Sequence, residues 1–342
     1  MREITTVGLD LAKYAFQVHG ADATGAVVLR RKLRRDEVLG FFAELPVCRV
    51  GMEACATAHF WARRIGALGH DVRLIPPAYV KPYVARQKND AADAAAICEA
   101  AGRPTVRTTP VKTEGQQAAR VVHRAHELLS RQRVMLINAI RSHLAEFGII
   151  APPGPQHVAP LIARIDDPET RLPTAVRQVL KLLAQQFAAL QDEVNRLELA
   201  MTRRCRADPE AARLMTVPGV GPITASAILA GVPDAGNFRS GRDFAAWLGL
   251  VPRQNSSGGK AHLGRITKMG DRTIRRLLVI GAMSVIRWGR RKPGFADGWL
   301  GRMVDRKPVK VAAVAMANKT ARIVWAVLAR GEAYRGPGAA PA

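Results

Sequence analysis

The first hundred residues alternate short apolar runs with polar breaks at the spacing of an α/β domain. Thr5 to Leu11 is a β-prone run, and Ala12 to Gly20 reads as its hairpin partner. Gly25 to Leu33 offers another strand, Asp36 to Leu45 a short helix, and Cys48 to Glu53 a further strand. Thr57 to Leu68 has the spacing of an amphipathic helix, and Val72 to Ile75 that of a buried strand stopped by Pro76-Pro77. Lys88 to Ile97 is strongly helix-forming.

The pattern then lengthens. Gln116 to Phe147 reads as one long helix, apolar at Val121, Val122, Leu128, Leu129, Val134, Leu136, Ile137, Ile140 and Leu144 and punctuated by Arg120, Arg124, Arg131, Arg133 and Arg141. Pro152-Pro153-Gly154-Pro155 breaks the chain, and a second helix runs from about Thr174 to Arg204. Its apolar positions recur every three to four residues, as in a coiled-coil or helical-hairpin seam. Packing of the two helices within one chain and contact between chains both satisfy that seam. Further on, Pro218-Gly219-Val220-Gly221-Pro222 followed by a small-residue helix resembles the hairpin of a helix-hairpin-helix element. There Gly219 and Gly221 would let the backbone approach phosphates, although a tight packing turn uses the same residues. From Arg287 to Arg330, basic runs precede an amphipathic helix carrying Ala313, Met316, Ile323, Trp325 and Val327, and the Gly/Pro/Ala tail is expected to be disordered.

Four acids stand out against this pattern. Asp10 sits inside an apolar strand and therefore needs a partner. Glu53 falls at a strand end, where α/β sheets place ligand sites. Asp90 and Asp93, three apart, share one helix face and repel each other. A divalent cation, Mg²⁺ or Mn²⁺, resolves that repulsion and suits phosphoryl transfer. A second centre lies far downstream, where Gln254-Asn255-Ser256-Ser257-Gly258-Gly259-Lys260 forms a Ser/Gly loop flanked by Arg253, Lys260, Arg265, Lys268 and Arg272. Residue types alone favour a phosphate-binding loop, because a serine hydroxyl is a poor nucleophile unless activated.

Charge extends this picture. The 342 residues carry a formal net charge of +24, distributed as +5 over residues 1–110, +4 over 111–204 and +15 over 205–342. Such a chain attracts polyanions with strong salt dependence, most of all through its last third. No Walker-type Gly-x-x-x-x-Gly-Lys-Ser/Thr occurs, so the sequence carries no P-loop signature for ATP. Cys48, Cys55, Cys98 and Cys205 show neither a C-x-x-C pair nor ligand spacing with histidine, and read as reduced, buried residues. With no leader at the amino terminus and no uninterrupted apolar run long enough to cross a bilayer, the expectation is a cytoplasmic protein without membrane partners.

Taken in order, Val7-Gly8-Leu9-Asp10-Leu11-Ala12-Lys13, Gly51-Met52-Glu53-Ala54, Lys88-Asn89-Asp90-Ala91-Ala92-Asp93-Ala94 and the segment Leu214 to Leu278 resemble DEDD-type insertion-sequence transposases. This is the bridge-RNA-guided recombinase family, similar to pilin-gene DNA invertases. The family often has a basic residue and an Asp ahead of the third acid, where this chain has Lys88-Asn89. The resemblance implies an α/β N-terminal domain of the ribonuclease H, RuvC-like (Holliday-junction resolvase) fold over residues 1–112, with Asp10, Glu53, Asp90 and Asp93 as its metal-binding tetrad. A helical, coiled-coil-like oligomerisation region would follow over 113–208. A mainly α C-terminal domain with helix-hairpin-helix and serine loop would occupy 209–331, ahead of a tail at 332–342.

The resemblance also reverses the reading of the loop, making Ser257 the nucleophile with Ser256 as fallback. Gly219, Gly221, Arg253, Lys260, Arg265, Lys268 and Arg272 then become nucleic-acid contacts. Its implied partners are DNA at element ends and target, a guide RNA, and further copies of the chain as a dimer or tetramer. Two rival functions use the same features: a metal-dependent nuclease that hydrolyses with water, and a non-catalytic nucleic-acid-binding protein.

Overall fold

The computed structural model describes residues 3–84, 89–260 and 262–336; Lys88 of the third motif and residues 337–342 of the tail lie outside the described residues. The chain divides into two compact units, Met1–Glu114 and Gly115–Ala342.

Unit 1 is built on a five-stranded sheet: β1 (Thr6–Leu11), β2 (Ala15–Ala21), β3 (Val27–Arg34), β4 (Arg49–Glu53) and β5 (Asp71–Ile75). The order across it is β3-β2-β1-β4-β5; β1, β2 and β3 run antiparallel, while β4 and β5 run parallel to β1. All five strands fall on the runs that alternation predicts. Strand alternation gives the sheet two faces. Val7, Leu9, Phe16, Val18, Leu33, Val50 and Met52 form a buried core with α1 (Val38–Glu44) and α2 (Ala58–Gly66). The opposite face carries Gly8, Asp10, Gln17 and Gly51. After the short α3 (Pro77–Val80), α4 (Asp90–Gly102) packs on that face over β1, β2 and β4.

The seat of α4 is a backbone-to-backbone contact. A Cβ on Gly8 would overlap the Ala94 carbonyl oxygen and stand 2.8 Å from Cys98 Cβ; a Cβ on Gly51 would stand 2.5 Å from Ala101 Cβ. The helix meets these glycines with its own small residues, Ala94, Cys98 and Ala101, all buried. Its start is fixed by Asn89, whose Oδ1 accepts from Ala92 N at 2.7 Å. Asn and Asp are equally good caps, so the departure from the family's residue at this position keeps the helix start. Three cysteines, Cys48, Cys98 and Cys205, are buried as expected, and burial pushes the Cys48 and Cys98 thiols up to about 11. Cys55 is exposed, because it lies on the turn after β4 rather than in the core.

Unit 2 is helical, apart from one hairpin. It holds α5 (Glu114–Ala145), α6 (Val158–Asp166), α7 (Thr174–Ala207), α8 (Pro209–Met215), α9 (Pro222–Gly231), α10 (Gly241–Trp247), α11 (Arg272–Gly289), α12 (Trp299–Arg306) and α13 (Val309–Arg330). The long helices α5 and α7 run antiparallel, since Arg133 bonds Gln191 and His126 bonds Glu198. Ile140 and Leu144 of α5 pack with Leu161, Ile165, Leu172 and Leu180 in a small core, so part of the seam is satisfied within the chain. Val121, Leu128, Val134 and Met135 of α5 and Val179, Leu182 and Leu199 of α7 stay exposed.

The amino-terminal half of α5 is tied by polar contacts. Arg120 pairs with Asp271 at 2.5 Å, and Glu127 takes Thr273 Oγ1 at 3.0 Å. Buried His123 shares a 2.9 Å hydrogen bond with Ser226, and burial, then the Arg120 charge, push its pKa down to about 4. The main core joins α8 to α13. Helix α13 is long and apolar enough by length and composition to cross a bilayer, but Ala312, Ala313, Ala317, Ala321 and Val324 are fully buried in this core.

Gly8→Ala is expected to destabilise the protein by about 3 kcal/mol, the upper end for overpacking, because α4 would have to lift off the sheet. Gly40→Ala, where a Cβ meets nothing within 4 Å, should instead be neutral or slightly stabilising. Urea unfolding of the two variants checks this; equal midpoints would show that α4 is not seated on the glycines.

Candidate metal centre and serine hairpin

Asp10 lies near the end of β1, and Asp90 and Asp93 occupy the first turn of α4, directly over that strand. One carboxylate oxygen from each lies within 4.8 Å of the others. Asp90 is exposed and the other two are half-buried. Glu53 ends the adjacent parallel strand β4. It falls outside the 4.8 Å group, yet its charge reaches Asp10. Burial, then the charges of Asp93, Asp90 and Glu53, push the Asp10 pKa up to about 6. The donor set is all carboxylate oxygen, the chemistry that hard divalent cations prefer. The fit is also electrostatic, since an ion would relieve the repulsion that raises Asp10. Sequence reasoning finds the acids and misses what gathers them: Gly8 and Gly51, each two residues before an acid. A glycine inside a strand is the available signal of close backbone approach.

The serines sit at the tip of a two-stranded hairpin, β6 (Pro252–Gln254) and β7 (Leu263–Ile266), where the composition predicts a loop. Ser257 and Lys260 form the closing bridge, with Lys260 N donating to Ser257 O at 3.0 Å. Between them Gly258 and Gly259 both have positive φ, as a tight two-residue hairpin turn requires. The two hydroxyls are not equivalent. Ser256 Oγ accepts from His262 N at 3.2 Å, while the exposed Ser257 hydroxyl has no partner among the described residues. At the hairpin's root, Arg275 donates to the carbonyls of Leu248 and Met269. Arg253, Lys260, Arg265, Lys268 and Arg272 are all on the surface, and Lys268 has a left-handed φ of 58°.

The Pro-Gly-Val-Gly segment links α8 to α9. Gly219 has a φ of 86°, and a Cβ there would stand 3.0 Å from the carbonyl of Gly281 on α11. Gly219 is thus a packing glycine that lets two backbones meet. Gly221 differs: it caps α9, is exposed, and has open space where a Cβ would project.

Comparison with known proteins finds two matching segments of the chain. A model described as "Transposase IS116/IS110/IS902 family" matches residues 211–296, and a DEDD transposase model matches residues 7–149. The chain is similar to a "Probable family 20 transposase" of Pseudomonas aeruginosa, 48% identical over 97% of this chain and 99% of the relative. It is also similar to the "Transposase for insertion sequence element IS1328" of Yersinia enterocolitica, 40% identical over 98% and 99%. A "Pilin gene-inverting protein" of Moraxella bovis is 29% identical over 40% of this chain and 44% of its own length. The DEDD match implies a ribonuclease-H-like fold for unit 1, in accord with its mixed sheet.

The raised Asp10 carboxyl has a signed consequence. Without metal, the folded state holds the Asp10 proton more tightly than the unfolded chain, so this contribution is full below about pH 4 and lost as pH rises through about 6. Asp10→Asn should therefore stabilise the metal-free protein at pH 7.5, by about 1 kcal/mol once solvent screening of a half-exposed group is discounted, and hardly at pH 4. Mn²⁺ should raise the wild-type melting temperature more at pH 7.5 than at pH 5, since it competes with the proton. Thermal unfolding with and without Mn²⁺ reads both effects. An undiminished Mn²⁺ gain in Asp10→Asn would mean the ion binds elsewhere.

Proposed function

The chain belongs to the IS116/IS110/IS902 family of transposases, and from that membership we propose that it cuts and rejoins DNA strands of an insertion sequence through a covalent serine–DNA intermediate. The observation that carries the reading is the meeting of three carboxylates where β1 and α4 cross, in a chain that also presents a serine hydroxyl on a basic hairpin.

Asp10, Asp90 and Asp93, with Glu53 beside them, would hold Mg²⁺ or Mn²⁺. Such an ion supplies charge neutralisation and polarisation of a phosphoryl oxygen. Ser257 Oγ attacks the scissile phosphorus: its bond to phosphorus forms, the bond to the departing deoxyribose oxygen breaks, and that oxygen takes up the serine proton. The phosphodiester energy is stored in the serine ester, and reversal with a different strand's hydroxyl rejoins DNA. Ser257 is favoured over Ser256 because Ser256 Oγ already accepts from the backbone of the hairpin. Arg253, Lys260, Arg265, Lys268 and Arg272 neutralise phosphates around the serine, and Gly221 offers the open amino terminus of α9 to a further phosphate. Ser257 belongs to unit 2 and the carboxylates to unit 1, so both units must engage one DNA.

The wider assembly follows from charge and from the exposed apolar positions. The net +15 of residues 205–342 suits polyanions, and a guide RNA would be a second one beside DNA. The exposed apolar residues of α5 and α7 join copies of the chain, as recombination between two DNA partners demands. The protein acts where DNA is, in the cytoplasm.

A strand-exchange assay on element-end and target DNA tests the mechanism. Ser257→Ala and Asp10→Ala should each reduce exchange by about 10³-fold or more. Ser256→Ala should lose only a few-fold, through a looser turn. Mass spectrometry of the stalled wild-type reaction should find a nucleotide on Ser257. Retained strand cleavage without rejoining in Ser257→Ala, together with loss of cleavage in Asp10→Ala, would instead make the protein a water-using nuclease.

A further inference from the structure

Strand β3 is an edge strand, and five of the six residues from 30 to 35 are basic: Arg30, Arg31, Lys32, Arg34 and Arg35. Charges on an edge commonly serve to block pairing with another sheet. Register shows more than that. Asp10 is paired with Gln17 across β1 and β2, and Gln17 with Lys32 across β2 and β3; in the neighbouring rows His19 faces Arg30, and Ala15 faces Arg34. Asp10, Gln17 and Lys32 therefore form one row on one face of the sheet, the face that carries α4.

That face is covered over β1, β2 and β4 by α4, while Arg30, Lys32 and Arg34 are exposed beside it. Arg34 is engaged by Asp36 and Glu37, whereas Arg30 and Lys32 have no ion-pair partner among the described residues. Arg31 of the strand and Arg35 just after it are occupied by aromatic rings. Arg31 lies over the Phe41 ring and Arg35 over Trp61. His19 is cross-strand from Arg30, and burial, then the Arg30 charge, lower its pKa.

We propose that Arg30 and Lys32, with Gln17 between Lys32 and Asp10, form a track for the phosphodiester backbone of the DNA strand that enters the carboxylate cluster. Four acids close together repel an incoming strand, and a cation between them offsets only the scissile phosphate. The neighbouring phosphates need positive charge at short range on the same face. Adjacent strands lie about 4.8 Å apart, so the Lys32 backbone stands about 10 Å from that of Asp10, within reach of the next phosphates along a strand. The half-buried Gln17 side chain offers a neutral hydrogen-bond donor between the acid and the base. The track rests on the proposed DNA chemistry of the cluster, and it assigns nucleic-acid binding to unit 1 in addition to the basic last third.

The test uses the full-length protein, a fluorescein-labelled single-stranded DNA oligonucleotide and its RNA counterpart, with anisotropy measured across a salt series. For single strands each neutralised phosphate adds about 0.7 to the slope of log affinity against log salt. Arg30→Gln/Lys32→Gln should lower the DNA slope by about 1.4, Lys32→Gln alone by about half of that, and Lys32→Arg should keep the wild-type slope. Arg31→Gln removes the same charge from the other face of the same strand and should leave the slope nearly unchanged.

Equal effects of Arg31→Gln and Lys32→Gln would reduce the row to diffuse charge and overturn the proposal, as would no effect of either. A change confined to the RNA probe would overturn it in favour of an RNA site. None of these results depends on strand exchange, so the track can fail while Ser257 and Asp10 remain essential, and the converse outcome is equally distinct.

Discussion

The candidate metal centre depends on how closely one helix can approach one sheet. Asp10 is a β1 residue and Asp90 and Asp93 are α4 residues; their oxygens meet only because α4 rests on the backbone of β1 and β4. That approach needs glycine at Gly8 and Gly51, and alanine or cysteine at the facing helix positions, so a short stretch of small residues sets the geometry of an acidic site several residues away. The Asn89 cap then fixes where the helix begins, which places both aspartates in its first turn. A helix amino terminus favours negative charge by a few tenths of a kcal/mol up to about 1 kcal/mol. Asp10 nevertheless stays well above the ordinary carboxylate range, so the helix end does not balance three neighbouring acids. What the packing assembles is an unrelieved concentration of negative charge.

The serine centre is built on the opposite principle. Its hydroxyls ride on a narrow hairpin rather than in a packed layer, and the turn at the tip consists of two glycines whose backbone conformation few other residues adopt. The hairpin is held at its root, where Arg275 binds two backbone carbonyls, and at its tip, where Ser256 binds the backbone of His262. Basic side chains surround it, whereas the carboxylate cluster belongs to the unit that includes most of the less basic first third. In the proposed reaction the two charges would suit different tasks, the acids a cation and the basic hairpin phosphates.

Much of this is legible in the sequence because alternation and strand ends are local properties. All five strands of unit 1 follow from the period of apolar residues. The long helices follow from their three-to-four-residue spacing. What escapes is set by contacts between distant segments. The hairpin flanking the serines reads as loop because its strands are short, exposed and polar, with Pro252–Gln254 burying nothing. Gly219 has the local context of a phosphate-binding glycine, and its close packing against Gly281, sixty-two positions away, is something no local pattern reveals. The row from Asp10 to Lys32 is likewise invisible until register is known, since a shift of one residue would move Lys32 to the other face.

For the proposed reaction, the exposure of Ser257 bears on when the chemistry would occur. A hydroxyl in water with no partner among the described residues is no more reactive than any surface serine, and its proton has nowhere favourable to go. The carboxylates that could gather a cation belong to the other unit, and alone they repel the phosphate they would act on. Each centre is therefore inert by its own physics: one lacks activation and the other lacks attraction. In the proposed reaction, DNA bound by the basic side chains would supply what both lack.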